Sequence, residues 1–295
     1  MLSILIPTYN YNIHSLVLEL HKQCTNCKIE FEIISLDDHS KESQVENQKI
    51  NSITNCSFEI LDKNIGRSAI RNLLARKAIY TNLLFLDADT FPVNNSFISD
   101  YLKHINTEEK IVYGGILYKK EKPAKNQLLR WFYGKSREAL SVEDRNTNPY
   151  LSFLTLNFLI KKSIIEKVSF NESLPNLRHE DTLFSYNLKQ KEIKISHIQN
   201  PVYHLGLDEF EVAIQKESDS IIALKYLIDN KLLPPDYVRL SRIFTKLKRL
   251  NIVFVFSYFY KITRLLFLKN LSSKNPSLFI FDLYRLGYLC MLENK

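Results

Sequence analysis

The chain has 295 residues, 45% hydrophobic and 24% charged, with a formal net charge of +8. It lacks long polar or low-complexity tracts and internal repeats, which excludes a disordered chain and a solenoid and leaves one large domain, or a domain with an appendage. The charge is uneven: residues 234–295 hold 11 Lys+Arg against 3 Asp+Glu, while the 29 basic and 29 acidic residues of 1–233 cancel.

The N-terminal stretch 1-MLSILIPTYN-10 has no basic segment before its apolar run, and the run stops at Pro7. A signal peptide is therefore not expected, and the chain reads as cytoplasmic. Residues 2–6 read as a short buried strand. Ile13, Leu16, Val17 and Leu20 have the spacing of one helix face. Cys24 and Cys27 form a lone CxxC with His21 three residues earlier. No second ligand pair follows at a useful spacing, so reduced thiols near a helix end are expected rather than a metal or redox site. A second apolar run, 31–36, ends on Asp37-Asp38. A third, 57–61, is followed by Asn64 and Gly66. Residues 67–79 suit a helix with Ile70, Leu73, Leu74 and Ala78 inward, and 83–86 form a fourth strand ending on Asp87, Ala88 and Asp89. Residues 111–118 and 153–160 are further strand candidates; helices are expected after Glu180 and over about 208–230. This alternation predicts an α/β domain with a mostly parallel sheet over 1–233. A basic, aromatic, helical extension follows over 234–295, from a boundary near Pro234-Pro235.

In open α/β sheets ligands sit beyond the carboxyl ends of the strands. Thr8-Tyr9-Asn10, Asp37-Asp38 and Asp87-Asp89 would all meet along that edge. The six glycines assemble neither GxGxxG nor GxxxxGK[ST], so both common glycine-loop phosphate cradles are absent. A divalent cation held by Asp89 would neutralise a bound diphosphate instead, because hard cations choose carboxylate oxygens and bridge phosphates.

Six stretches in this order, 4-ILIPTYN-10, 33-IISLDDHS-40, 64-NIGRSAIRN-72, 84-LFLDAD-89, 179-HEDTLFSYNL-188 and 200-NPVYHLG-206, resemble the family 2 glycosyltransferases of the GT-A fold. Members move a sugar from a nucleotide diphosphate donor with inversion. The resemblance spans roughly residues 1–210 and implies the following roles. Pro7, Thr8 and Tyr9 contact the nucleoside, Asp38 accepts a hydrogen bond from the base, and Arg71 lies near base and phosphates. Asp87 holds the ribose, with the small Ala88 permitting its close approach. Asp89 binds Mn²⁺ or Mg²⁺, and His204 completes the metal site as in some relatives. Asp181 is the catalytic base, with its neighbour Glu180 the other candidate. Many relatives carry Gly where this chain has Arg178; a cation there could meet an acidic or phosphorylated acceptor. His179 reads as a loop residue on the acceptor side. Trp131, the only tryptophan, fits either the core or a stacking platform for an acceptor sugar.

The extension contains 252-IVFVFSYFYKITRLLFL-268, too short and too charged to span a bilayer. Arg242, Lys246 and Arg249 share one helix face and Ile243, Leu247 and Leu250 another, the pattern of a helix at a membrane interface. The other readings are packing on the catalytic domain or a second subunit, and nucleic-acid binding, which is disfavoured. The expected function is a metal-dependent, inverting hexosyl- or N-acetylhexosaminyl-transfer from a nucleotide-sugar, a UDP-sugar because Asp38 can accept uracil N3–H. The acceptor is a glycan or lipid-linked glycan, with possible peripheral membrane contact. The alternatives are an inactive nucleotide-binding relative and a sugar-nucleotide nucleotidyltransferase, which would want a Gly- and Lys-rich N-terminal loop.

Overall fold

The computed structural model describes residues 1–42, 45–174 and 178–293. Its strands are β1 Leu2–Thr8, β2 Phe31–Asp37, β3 Cys56–Ile60, β4 Asn82–Leu86, β5 Thr90–Pro92, β6 Lys110–Tyr113, β7 Ile116–Leu117, β8 Asn157–Lys161, β9 Lys194–His197 and β10 Val202–His204. Seven of them form one sheet in the order β3-β2-β1-β4-β8-β6-β9. Within it β8 runs antiparallel to β4 and β6, and the other pairings are parallel.

Both faces of this sheet are covered, as parallel sheets require. Ile4 and Ile6 of β1, with Ile33 and Leu84, pack against Leu16, Val17 and Leu20 of the helix His14–Asn26. Leu5, Ile34, Leu83 and Phe85 point the other way, onto Ile70 and Leu74 of the helix Arg67–Lys77. Each such side chain, taken fully out of water, stabilises the fold by roughly 1.5–3 kcal/mol. Register carries this core to the ligand edge: Thr8 pairs with Asp37 and Asp37 with Ile60, so three strands end flush.

A small second sheet has the order β5-β10-β7. β10 is antiparallel to β5, with His204 opposite Thr90, and parallel to β7. The expected strand over 111–118 is split into β6 and β7 at Gly114-Gly115. Gly115 has φ +94°, and a Cβ on Gly114 would lie 2.2 Å from the Asn200 carbonyl oxygen. Of the run 153–160, only the part from Asn157 is strand; Phe153 is buried in the core before it.

The chain divides into two compact units, one of Met1–Tyr118, Ala139–Asn176 and Glu180–Gly206, the other of Lys119–Glu138, Leu177–His179 and Leu207–Lys295. The division does not follow the compositional boundary at 233. Within the second unit the helix Phe210–Asp229 places Ile221 among Phe244, Leu247, Leu286 and Leu289. Leu129, on the helix Leu128–Arg137, packs among Tyr260, Phe267, Phe281 and Tyr284. These apolar contacts, and the Arg285–Glu217 and Lys225–Glu293 ion pairs, make the extension part of a larger helical unit.

Candidate active site

The loops after β1, β2 and β3 are tied into one edge by side chains the chain must bury. Asp38 donates its N–H to the Thr8 carbonyl at 2.9 Å. Its carboxylate accepts the backbone N–H of Ile65 at 2.6 Å and of Gly66 at 3.0 Å. Asp37 accepts the Ser40 N–H at 2.7 Å. Asn10, at φ +50°, accepts the backbone N–H of Lys41 and Glu42. Asp38 thus shapes the loop that starts the helix Arg67–Lys77. Each carboxylate oxygen has two lone pairs, so acceptor capacity remains. Thr8 is buried and Pro7 half-buried beside it, while Tyr9 is exposed.

The strand β4 delivers Asp87 and Asp89, with Ala88 packed toward the apolar layer. Asp87 Oδ1 accepts a hydrogen bond from Arg71 at 2.7 Å. The same guanidinium lies 3.7 Å from Glu180 Oε1, which is also 3.6 Å from Arg67. Burial works against the charge on Arg71, but Asp87 and Glu180 outweigh it and raise its pKa above the ordinary value. Burial likewise pushes the Asp87 carboxyl up, with Arg71 pulling it down and Asp89 and Glu180 adding to the rise. Arg71 is the charge that favours the ionised form of Asp87 in this cluster, against burial. The resemblance implied that Arg71 meets base and phosphates. The structure engages it with two carboxylates, one on the donor-side strand and one beside the expected base.

Asp181 is the second residue of the helix Glu180–Gln190, and its Oδ1 accepts the Thr182 N–H at 2.6 Å. Burial and the adjacent Glu180 push its carboxyl up from 3.8 to about 6, against the Thr182 hydrogen bonds and Arg71. Glu180, with a side chain only 10% exposed, is paired with two arginines, whereas Asp181 has no ion pair this close among the described residues and its carboxyl is pushed up to about 6.

His204 Nε2 lies 3.3 Å from Asp89 Oδ2. Adjacent ligands on an octahedral hard cation lie about 3 Å apart, so the pair has the spacing of two neighbouring metal ligands. Among the described residues no group of three or more His, Cys, Asp or Glu is arranged to hold a metal. A cation here would therefore take the rest of its shell from phosphate oxygens and water, as Mg²⁺ commonly does. Asp89 also raises the Tyr11 hydroxyl's pKa, after burial. Gly206 fits closely against Asp89: a Cβ there would lie 2.0 Å from Asp89 Oδ2. Sequence reasoning missed that contact, and it missed Tyr118, whose ring centroid is 5.5 Å from that of His204.

Three buried polar atoms of this edge have no hydrogen-bond partner among the described residues: Thr8 Oγ1, Arg71 Nε and His204 Nδ1. An unsatisfied buried group costs about 1–3 kcal/mol, and a bound ligand is one of the few explanations for three together.

Arg178, His179 and Trp131, expected on the acceptor side, belong to the second unit. His179 has φ +74°, and its Nε2 is 3.0 Å from Ser220 Oγ. Arg178 immediately precedes it in the same unit. Trp131 is 6% exposed, donates its indole N–H to the Lys119 carbonyl at 3.0 Å, and has Lys135 Nζ 4.3 Å from its ring centroid. Of the two readings left open for Trp131, its burial matches the core residue. The four cysteines are free thiols, and burial pushes Cys24 up to about 12.

A mostly parallel sheet that brings paired acids to its carboxyl edge is the arrangement of the GT-A fold. The chain belongs to glycosyl transferase family 2, whose family model matches residues 3–169. Among solved structures it is similar to the mannosyltransferase PcManGT from Pyrobaculum calidifontis in complex with GDP-Man and Mn²⁺ (TM-score 0.56, 12% identity, 77% of this chain and 64% of that one). It is also similar to TarS of S. aureus (TM-score 0.50, 19% identity, 77% and 43%). A third similar structure is TarS 1–349 in complex with UDP-GlcNAc (TM-score 0.50, 16% identity, 100% and 92%). The chain thus spans under half of the first TarS chain and under two thirds of the mannosyltransferase chain. At these identities the likeness establishes the fold. No curated protein matches the chain in sequence.

Proposed function

We propose that the protein transfers a hexose or N-acetylhexosamine from a uridine diphosphate donor to a hydroxyl of a glycan or lipid-linked glycan, with inversion, during polysaccharide or glycolipid assembly. The observation that carries this reading is the linked ion-pair chain Asp87–Arg71–Glu180, with Asp181 beside it raised to about 6. One guanidinium thereby spans the donor edge and the base. Asp181 is ionised at neutral pH yet basic enough to take a proton, which suits a general base.

In the reaction the acceptor hydroxyl passes its proton to an Asp181 carboxylate oxygen as its own oxygen attacks the anomeric carbon. The sugar–phosphate bond breaks on the opposite side, and its electron pair leaves on the diphosphate. Asp87 has one oxygen engaged by Arg71 and would offer the other to a ribose hydroxyl. Asp38 would accept uracil N3–H with its remaining lone pairs, and Pro7, Thr8 and Tyr9 would border the nucleoside. Mn²⁺ or Mg²⁺ held by Asp89 and His204 would stabilise charge on the departing diphosphate. His179 and Arg178 remain acceptor-side candidates. The mannosyltransferase neighbour is described with GDP-Man and the TarS neighbour with UDP-GlcNAc, so the base is the part of this reading most open to test.

The test is a thermal-shift panel of UDP, dTDP and GDP with and without Mn²⁺. A metal-dependent rise in melting temperature with UDP is expected, and Asp89→Ala should abolish it. An equal rise in the variant would overturn the metal assignment, and a larger rise with GDP would overturn the uridine assignment. Binding without turnover of any nucleotide-sugar would favour an inactive relative.

A further inference from the structure

The helix Val253–Leu271 is amphipathic in an unusual sense. Val253, Ser257, Tyr260, Phe267 and Leu271 are its buried side. The outward side is also apolar: Phe254, Tyr258 and Leu265 are 65%, 67% and 78% exposed, and Val255, Ile262 and Leu266 lie beside them. These positions recur every three to four residues and form one continuous stripe. An open apolar patch of this extent on a folded protein marks an interaction site. The preceding helix, Arg239–Arg249, buries Phe244 and Leu247. Ile243 and Leu250, two of the three residues whose spacing implied an interfacial face, are exposed as well, at 37% and 65%, so the open apolar surface spans both helices.

The charge around the stripe selects its occupant. Residues 237–281 contain nine Lys and Arg and no Asp or Glu. Lys261 and Lys269 lie within the exposed face and Arg264 at its margin, all three exposed. A second copy meeting it through the same face would bring the same cations against these, with no carboxylate from residues 237–281 to pair them. A nucleic acid would use the cations but leave the side chains of Ile262, Leu265 and Leu266 in water. An anionic lipid surface satisfies both: acyl chains take the apolar stripe, and phosphates take the lysines, whose long stems let their heads reach the headgroup layer. Among the described residues no single helix is long and apolar enough to cross a bilayer. The helices Arg239–Arg249 and Val253–Leu271 reach the needed length and apolarity only as a pair bent by 119°, a geometry that suits contact in the plane of the interface.

We infer that the outward face of the helix Val253–Leu271 is a docking surface for an anionic lipid bilayer. The inference rests on the second unit alone and is independent of the reaction proposed above. The experiment is flotation of the full chain with phosphatidylcholine vesicles, with and without roughly 30% phosphatidylglycerol. The wild type should float with the anionic vesicles and lose most of that binding at about 0.5 M salt. The double variant I262E/L265E places carboxylates on exposed positions and should bind at least about tenfold more weakly. Its circular dichroism and its UDP- and Mn²⁺-dependent thermal shift should match the wild type. Equal flotation of variant and wild type would overturn the proposal. So would light scattering that finds a wild-type oligomer which the double variant dissociates, because the stripe would then be a subunit interface.

Discussion

Arg71, Glu180 and Asp181 form an electrostatic unit, and its parts can be separated by substitution. Glu180 raises the Asp181 carboxyl by like charge, and Arg71 lowers it. Glu180→Gln removes the first effect and frees Arg71 to strengthen the second, so the Asp181 value should fall. If Asp181 is the base, the acid limb of kcat/KM lies near pH 6 in the wild type and moves to lower pH in Glu180→Gln. A limb that stays in place would separate the base from Asp181. Asp181→Asn should lose nearly all turnover while keeping the nucleotide-dependent thermal shift. It should also change stability in a pH-dependent way. The folded value, about 6, lies above the ordinary 3.8, so the stability Asp181 contributes is full below about pH 4 and is lost as pH rises through about 6. Asparagine carries no charge and keeps an oxygen for the Thr182 N–H. The variant should therefore be more stable than the wild type at pH 8, by about 1–3 kcal/mol, and the two should converge near pH 4. Denaturant titrations at the two pH values measure the difference.

At the scale of elements, the Asp89–His204 pair proposed to hold the metal depends on how β4 and β10 end. Asp89 follows β4, His204 closes β10, and the antiparallel pairing of β10 with β5 holds the histidine beside the segment that carries Asp89. Gly206 then passes so close to Asp89 that a Cβ would lie 2.0 Å from its carboxylate oxygen. Gly206→Ala should displace that carboxylate and weaken Mn²⁺-dependent UDP binding at least about tenfold, as loss of metal-site geometry does. Titration calorimetry checks this, and an unchanged affinity would show that the contact is incidental. The position of Asp89 at the carboxyl edge of the sheet was legible, because an apolar run that stops on two acids marks the end of a buried strand. Its dependence on Gly206 was not legible, since nothing local links positions so far apart in the chain. The direction of β8 was also hidden: a strand buried on both faces carries an apolar run with no polarity. β5 and β10 have three residues each, too few to show a period. Arg71 read as a site residue from its motif, but its double pairing needs the helix Glu180–Gln190 to arrive from elsewhere in the fold. Trp131 left two readings open, and only its burial separates them.

Over the whole molecule, composition and packing draw different boundaries. Charge and aromatic content change near residue 233, so a cut there looks clean in the sequence. Packing within the second unit argues against it. Ile221 shares its cluster with Phe244, Leu247, Leu286 and Leu289, and Leu129 shares another with Tyr260, Phe267, Phe281 and Tyr284. Glu217 and Lys225 are paired with Arg285 and Glu293. Deleting 234–295 would bare the inner side of the helix Phe210–Asp229 and leave a carboxylate and an ammonium without these partners. Each large apolar side chain returned to water forfeits roughly 1.5–3 kcal/mol, so the loss rivals the 5–15 kcal/mol by which a typical protein is stable. A chain of residues 1–233 should therefore be recovered in aggregates or with residues 207–233 open to protease. A soluble, monomeric 1–233 that keeps its metal-dependent nucleotide shift would show instead that the extension is a separable appendage. The outcome also bears on the membrane test: if the extension completes a folded unit, its lipid-facing stripe can be judged only by point substitutions in the full chain.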